Sequence, residues 1–167
     1  MYFAKVSLEQ YMKDVLGNVP EHLHDEMKPL IEQQWKEIKL PTRSSEKSAG
    51  YDFHIPYSEY VGEGVTKIYT GVRWVAAQNC FLMLVPRSGL GCKNGFRLRN
   101  TVGIVDADYA NSSNEGHIMA FVESDEPLFL PPQKGFMQGI IVPYLVVDGD
   151  NTTAKRDGGF GSSDENA

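Results

Sequence analysis

The sequence predicts an all-β sandwich or barrel preceded by a short helical segment, and the pattern of apolar residues on either side of Leu40 predicts it. After Leu40 the apolar residues come in short runs, at 67–69, 72–76, 81–85, 117–122 and 140–147, rich in Val, Ile, Phe and Tyr. Gly, Pro, Asn and Asp punctuate these runs, the texture of many short strands joined by turns. Before Leu40 the apolar residues recur at three- and four-residue spacing, the period of a helix. The chain's 167 residues, 41% of them apolar, are about one domain's worth and can bury an ordinary core.

Residues 1–7 form one short strand. Ser7 to Gln10 then read as a capping box, a serine oxygen and a glutamine amide meeting free backbone N–H groups. Leu8, Tyr11, Met12, Val15 and Leu16 follow at helical spacing, and Gly17 is the expected stop. A second helix starts near Pro20, with Leu23, Met27, Leu30, Ile31 and Ile38 marking its apolar side. Pro29 is expected to kink or split it. At the far end, residues 148–167 hold too few apolar side chains to pack alone and read as a flexible arm, leaving residues 1–147 as one domain.

Sixteen basic and 22 acidic residues give a net charge of −6, which argues against wrapping duplex nucleic acid. A small anion is not excluded, since a few local cations and backbone N–H groups suffice to bind phosphate. No apolar run approaches the ~18 residues of a membrane span. Lys5, Glu9, Lys13 and Asp14 interrupt any signal-like start. Two cysteines, Cys80 and Cys92, cannot build a disulfide framework and fit a reducing compartment.

Four segments are richer in polar chemistry than packing requires. SAGYDF (48–53) places a glycine before an aromatic and an acid. PRSGLGCKNG (86–95) follows an apolar strand and can aim a guanidinium, a hydroxyl and backbone N–H groups at one phosphate. NTVGIVDADY (100–109) carries two acids and a tyrosine at a strand end. KRDGGFGSS (155–163) combines glycines, which permit close backbone approach, with an isolated aromatic. Singly, each has a plain reading as turn, cap or linker. His22, His24, His54 and His117 lack metal-ligand spacing and read as structural. Asp148 and Asp150 lack the other ligands of a calcium loop and read as a turn. Cys92 reads as a small packing residue.

Together and in order, these segments resemble the five motifs of the trimeric dUTPase family, bacterial or phage: AGYDF the first, PRSGLGCKNG the second, NTVGIVDADY with EGHI the third, FMQGIIVPY (136–144) the fourth and RDGGFGSS the fifth. The resemblance implies a jelly-roll-like β-barrel, a homotrimer with three shared active sites, cytoplasmic residence (the host's for a phage enzyme), and hydrolysis of dUTP to dUMP and pyrophosphate with Mg²⁺ on the triphosphate. By resemblance Asp106 activates the attacking water, and Tyr109 packs under the deoxyribose and excludes a 2′-hydroxyl. Asn100 and the backbone near Gly103 face uracil. Arg87, Ser88, Gly89 and Gln138 take the phosphates, and Asp52 acts near the hydrated metal. Phe160 closes over the base with Gly161, and Ser162 and Ser163 add phosphate contacts. Arg156 is preferred over Lys155 for the γ-phosphate, because a planar fork binds phosphate bidentately.

The sequence departs from the family pattern in five places. Arg156 lies four residues before Phe160 rather than five, ANSSN lengthens the hairpin after Tyr109, the lead-in to Gln138, QKGFMQ (133–138), is short, Asp164 replaces the final glycine, and residues 8–38 are extra. Two other functions remain open: a dCTP deaminase on the same fold, and a regulatory protein-binding switch using residues 8–38 or the 110–116 loop. The helical insertion is expected to cover barrel surface and to be dispensable for chemistry at some cost in stability.

Overall fold

The computed structural model describes residues 1–76 and 79–154. Strand β1 (Tyr2–Lys5) leads into helix α1 (Leu8–Leu16), whose start is capped as the sequence suggests: Ser7 Oγ accepts the Gln10 N–H at 3.0 Å. The return half of the capping box differs. The Ser7 N–H donates to Glu115 Oε2 at 2.8 Å, and Gln10 is buried instead. A single 3₁₀ turn (Glu21–Leu23) joins α1 to helix α2 (His24–Glu37).

Pro29 lies inside α2 and does not split it. Proline removes the partner of the Asp25 carbonyl, but both residues are exposed, so water can take that bond. On the opposite side Ile31 is fully buried, and Trp35 donates its Nε1–H to the Val6 carbonyl at 2.9 Å. Burying an isoleucine is worth ~1.5–3 kcal/mol, enough to offset much of the ~3 kcal/mol cost of an interior proline. Lys5 finishes the helix: its ammonium donates to the Trp35 and Lys36 carbonyls at 2.9 and 3.0 Å and lies 4.9 Å from the Trp35 ring centroid.

The rest is strand: β2 (Thr42–Arg43), β3 (Gly50–His54), β4 (Glu59–Val61), β5 (Thr66–Tyr69), β6 (Val72–Val75) and β7 (Cys80–Pro86). A short helix α3 (Ser88–Asn94) precedes β8 (Arg97–Leu98), β9 (Gly103–Val105), β10 (Met119–Glu123), β11 (Leu128–Leu130) and β12 (Gly135–Pro143). They pair antiparallel as β1-β6, β5-β10-β8, β11-β4 and a five-stranded sheet β2-β3-β12-β7-β9. Sheet neighbours that are far apart in sequence make the all-β fold jelly-roll-like.

Two local expectations change. The last strand begins at Gly135 and ends at Pro143, not at 140–147. Its glycines hid it, yet a side chain at Gly139 would meet Leu82 and Phe53, which cross there. The Arg-Ser-Gly turn opens directly into α3, on which Cys92 is exposed rather than packed. As expected, Asp148 and Asp150 lie in a turn: the Asp150 N–H donates to the Val147 carbonyl at 3.2 Å, and its carboxylate accepts the Thr152 N–H at 2.9 Å.

Trp74, Phe53, Leu82 and Phe136 are buried at the centre, and Phe96 meets Phe136 edge-on at 6.4 Å between centroids. Tyr11 of α1 and Ile31 of α2 belong to the same cluster, both at 0% exposure. The helices are therefore part of the barrel's core. Ile31→Ala is expected to cost about 2–5 kcal/mol in urea unfolding. A loss well under 1 kcal/mol would mean that the helices only ride on the surface.

Candidate active site

Strand register brings the first-, second- and fourth-motif residues to one place. In β12, Gln138 is opposite Asp52 of β3 on one side and Val85 of β7 on the other. Arg87 leaves the end of β7, where its N–H donates to the Phe136 carbonyl at 3.0 Å. Its Nε lies 3.5 Å from Asp52 Oδ1, a partly exposed ion pair. A Cβ at position 50 would lie 2.1 Å from Gln138 Oε1, so a larger residue there would displace the glutamine side chain. Beside this group is a cavity of ~580 Å³ lined by Arg87, Ser88, Gly89, Lys93 and Lys134, among others. Three cations here give a local positive potential on a chain whose net charge is −6. The sequence reading missed Lys93 and Lys134 as contributors. Both lie within stretches it quoted, and only folding brings them together.

The third-motif residues lie along β9. Asn100 is at an exposed turn, and the Val102 N–H returns to its carbonyl at 2.6 Å. Gly103 is buried opposite Leu84 of β7, and a Cβ there would come within 3.0 Å of the leucine Cβ. A second cavity of ~300 Å³ is lined by Asn100, Gly103, Leu84, Ile104, Met119 and Phe121, among others, and is largely apolar. Asp106 follows β9 directly and is half-buried, its carbonyl accepting the Tyr109 N–H at 3.1 Å. Tyr109 is buried; its hydroxyl donates to the His117 carbonyl at 3.1 Å and accepts from Asn114 Nδ2 at 2.9 Å. The two cavities share no lining residue.

His117 is structural, as its sequence context suggests. Its Nε2 accepts the Gly71 N–H at 2.9 Å, so its proton is on Nδ1, which donates to Asp14 Oδ2 at 2.6 Å. Gly71 has φ +68°, and a Cβ there would strike Ile38, so glycine is favoured. Burial opposes ionisation of Asp14, but hydrogen bonds from His117 and Gln10 outweigh it and hold the carboxyl below its ordinary value. Glu115 is held low in the same way: desolvation opposes its charge, and bonds from Ser7 prevail. Arg156, Phe160, Gly161, Ser162 and Ser163 lie outside the described residues.

Comparison with known proteins settles the family. The dUTPase family model matches residues 36–164, well over half of the chain. The chain belongs to the dUTPase family. Deoxyuridine 5'-triphosphate nucleotidohydrolase of Lactococcus lactis subsp. lactis is 36% identical over 132 residues, 75% of this chain and 88% of that protein. Its counterpart in Haemophilus ducreyi is 33% identical over 151 residues, 84% of this chain and 96% of that one. Among solved structures, dUTPase from Streptococcus mutans superposes with a TM-score of 0.65 at 27% identity, covering 89% of this chain and 100% of that one. The dUTPase from phage phi11 of S. aureus, described with a structural Mg(II) ion, shares the fold at TM-score 0.60 and 16% identity, over 71% and 92% of the two chains. Among the described residues, no helix is long and apolar enough to cross a membrane.

Proposed function

We propose that this dUTPase-family chain hydrolyses dUTP to dUMP and pyrophosphate at sites shared between copies in a homotrimer. The observation that carries this reading is that the third-motif residues Asn100 and Gly103 line one cavity and the second-motif residues Arg87, Ser88 and Gly89 line another, with no common lining residue. The apolar cavity at Asn100 and Gly103 suits a base and a sugar. The cationic cavity at Arg87, Ser88 and Gly89 suits phosphates. Joining one copy's first cavity to a neighbour's second would make a complete nucleotide site. Ile104 and Phe121, beside the first cavity, are 55% and 39% exposed and would be covered by such a neighbour.

In this reading uracil meets Asn100 and the backbone at Gly103, and the sugar rests on Tyr109. Asp106 takes a proton from water as the water oxygen bonds to the α-phosphorus. The bond from that phosphorus to the bridging oxygen breaks, and pyrophosphate leaves. Arg87 and Gln138 hold phosphate oxygens, and Arg156 with Phe160 of the arm, residues 148–167, closes the site. Mg²⁺ fits as a companion of the triphosphate. Asp52 offers one carboxylate, no group of three His, Cys, Asp or Glu is assembled among the described residues, and this ion commonly takes one or two carboxylates with substrate phosphates and water. When bound, it would neutralise charge on the departing pyrophosphate. A regulatory partner would use exposed positions of residues 8–38, such as Leu30 of α2, or of the 110–116 loop, since Tyr11 and Ile31 are committed to the core.

The test is pyrophosphate release from dUTP, dCTP, dTTP and UTP. Rapid release from dUTP alone is expected. Ammonia from dCTP, or equal rates with UTP, would overturn the assignment.

A further inference from the structure

We propose that helix α1 is a brace for the sugar platform, with Asp14 and Glu115 as positioning residues for deoxyribose selection. The inference rests on the reading of Tyr109 as the surface under the sugar. It stands on a chain of contacts running from the core to the Tyr109 hydroxyl. Tyr11 fixes α1 in the core at 0% exposure, its ring centroid 5.8 Å from that of His117. One turn along, Asp14 accepts the His117 Nδ1–H at 2.6 Å, while the Gly71 N–H fixes the other ring nitrogen at 2.9 Å. With both nitrogens engaged, a ring that is fully buried has one tautomer and one orientation.

The backbone of the same residue holds the platform. The His117 carbonyl accepts the Tyr109 hydroxyl at 3.1 Å, and its N–H donates to the Asn114 carbonyl at 3.0 Å. Asn114 also donates to the Tyr109 hydroxyl at 2.9 Å. Next along the loop, Glu115 accepts the Ser7 N–H at 2.8 Å and the Ser7 hydroxyl at 2.6 Å, completing the cap of α1. The lengthened 110–116 loop and the helical insertion are thus two halves of one fastening. Its far end is the tyrosine that must lie too close to the sugar to admit a 2′-hydroxyl. Small displacements of a positioned group cost up to ~10²-fold in rate, so loosening this fastening should register in sugar choice.

The experiment compares kcat/KM for dUTP and UTP in Asp14→Ala, Asp14→Asn, Glu115→Ala and Tyr109→Leu, each checked for folding by circular dichroism. Asp14→Ala and Glu115→Ala are expected to lower the dUTP-to-UTP ratio by about tenfold. Asp14→Asn should keep most of it, because the amide oxygen still accepts the His117 Nδ1–H. If Asp14→Ala does not fold, the Glu115→Ala ratio decides. Folded variants that melt earlier yet keep the wild-type ratio would reduce α1 to a plain anchor and overturn the proposal. Tyr109→Leu separates the two levels. If it loses discrimination while the brace variants keep it, only the brace is wrong; if it too discriminates as the wild type does, the sugar reading of Tyr109 falls with it.

Discussion

Asp106→Asn is expected to lower turnover of dUTP by roughly 10²–10⁴-fold, the range associated with a positioned general base. The substitution keeps the size of the side chain and removes its capacity to take a proton. The backbone around it should hold, because Val105 is in register with Leu82 and the Asp106 carbonyl accepts the Tyr109 N–H. The loss should fall on kcat, with affinity for a non-hydrolysable dUTP analogue, read by calorimetry, close to that of the wild type. Loss of that size with binding intact identifies a group acting in the transition state. Wild-type turnover would remove Asp106 from the mechanism.

Removing residues 155–167 is expected to leave a folded protein with activity reduced about 10²-fold or more. Among the described residues the fully buried side chains end at Met137, well before the arm, so the melting temperature should barely move. The removed segment holds Arg156, Phe160, Ser162 and Ser163, the proposed clamp on base and phosphates. Mixing the truncated chain with Asp106→Asn protein adds a second reading. If arms act on neighbouring copies, mixed trimers contain sites with an intact Asp106 and an intact arm, and part of the activity returns. A truncated protein with full activity would show that the fifth motif is not used.

The strands rich in branched residues were legible because period and composition agree there, and β7 (Cys80–Pro86) is the clear case. Strand β12 was only half legible. Its glycines lower the local strand signal, and the reason for them, Leu82 and Phe53 crossing at Gly139, is tertiary. The motif residues were legible by type and order. That Asp52, Arg87 and Gln138 meet follows from the register of β3, β12 and β7, which no local stretch encodes. The helical insertion was the hardest to read. Its apolar stripe announced that something covers it, but not that Tyr11 and Ile31 join the barrel's own core. Nor does anything near Asp14 or Ser7 announce partners in the loop after Tyr109. An insertion without motif chemistry therefore read as a cover removable at some cost in stability, whereas the packing puts Tyr11 and Ile31 in the core and bonds α1 to the loop after Tyr109.

The bonds from α1 to that loop also set an order of events during folding. Ser7 and Glu115 are separated by 108 positions, Asp14 and His117 by 103. The first cannot form before residue 115 has been synthesised, nor the second before residue 117, long after α1 itself. Closing so long a loop carries an entropic cost that local helix formation does not, and non-local contacts of this kind slow folding. The loop bearing Tyr109 is therefore fastened only once the intervening strands have brought its anchor back, so competence for nucleotide trails the first collapse of the chain.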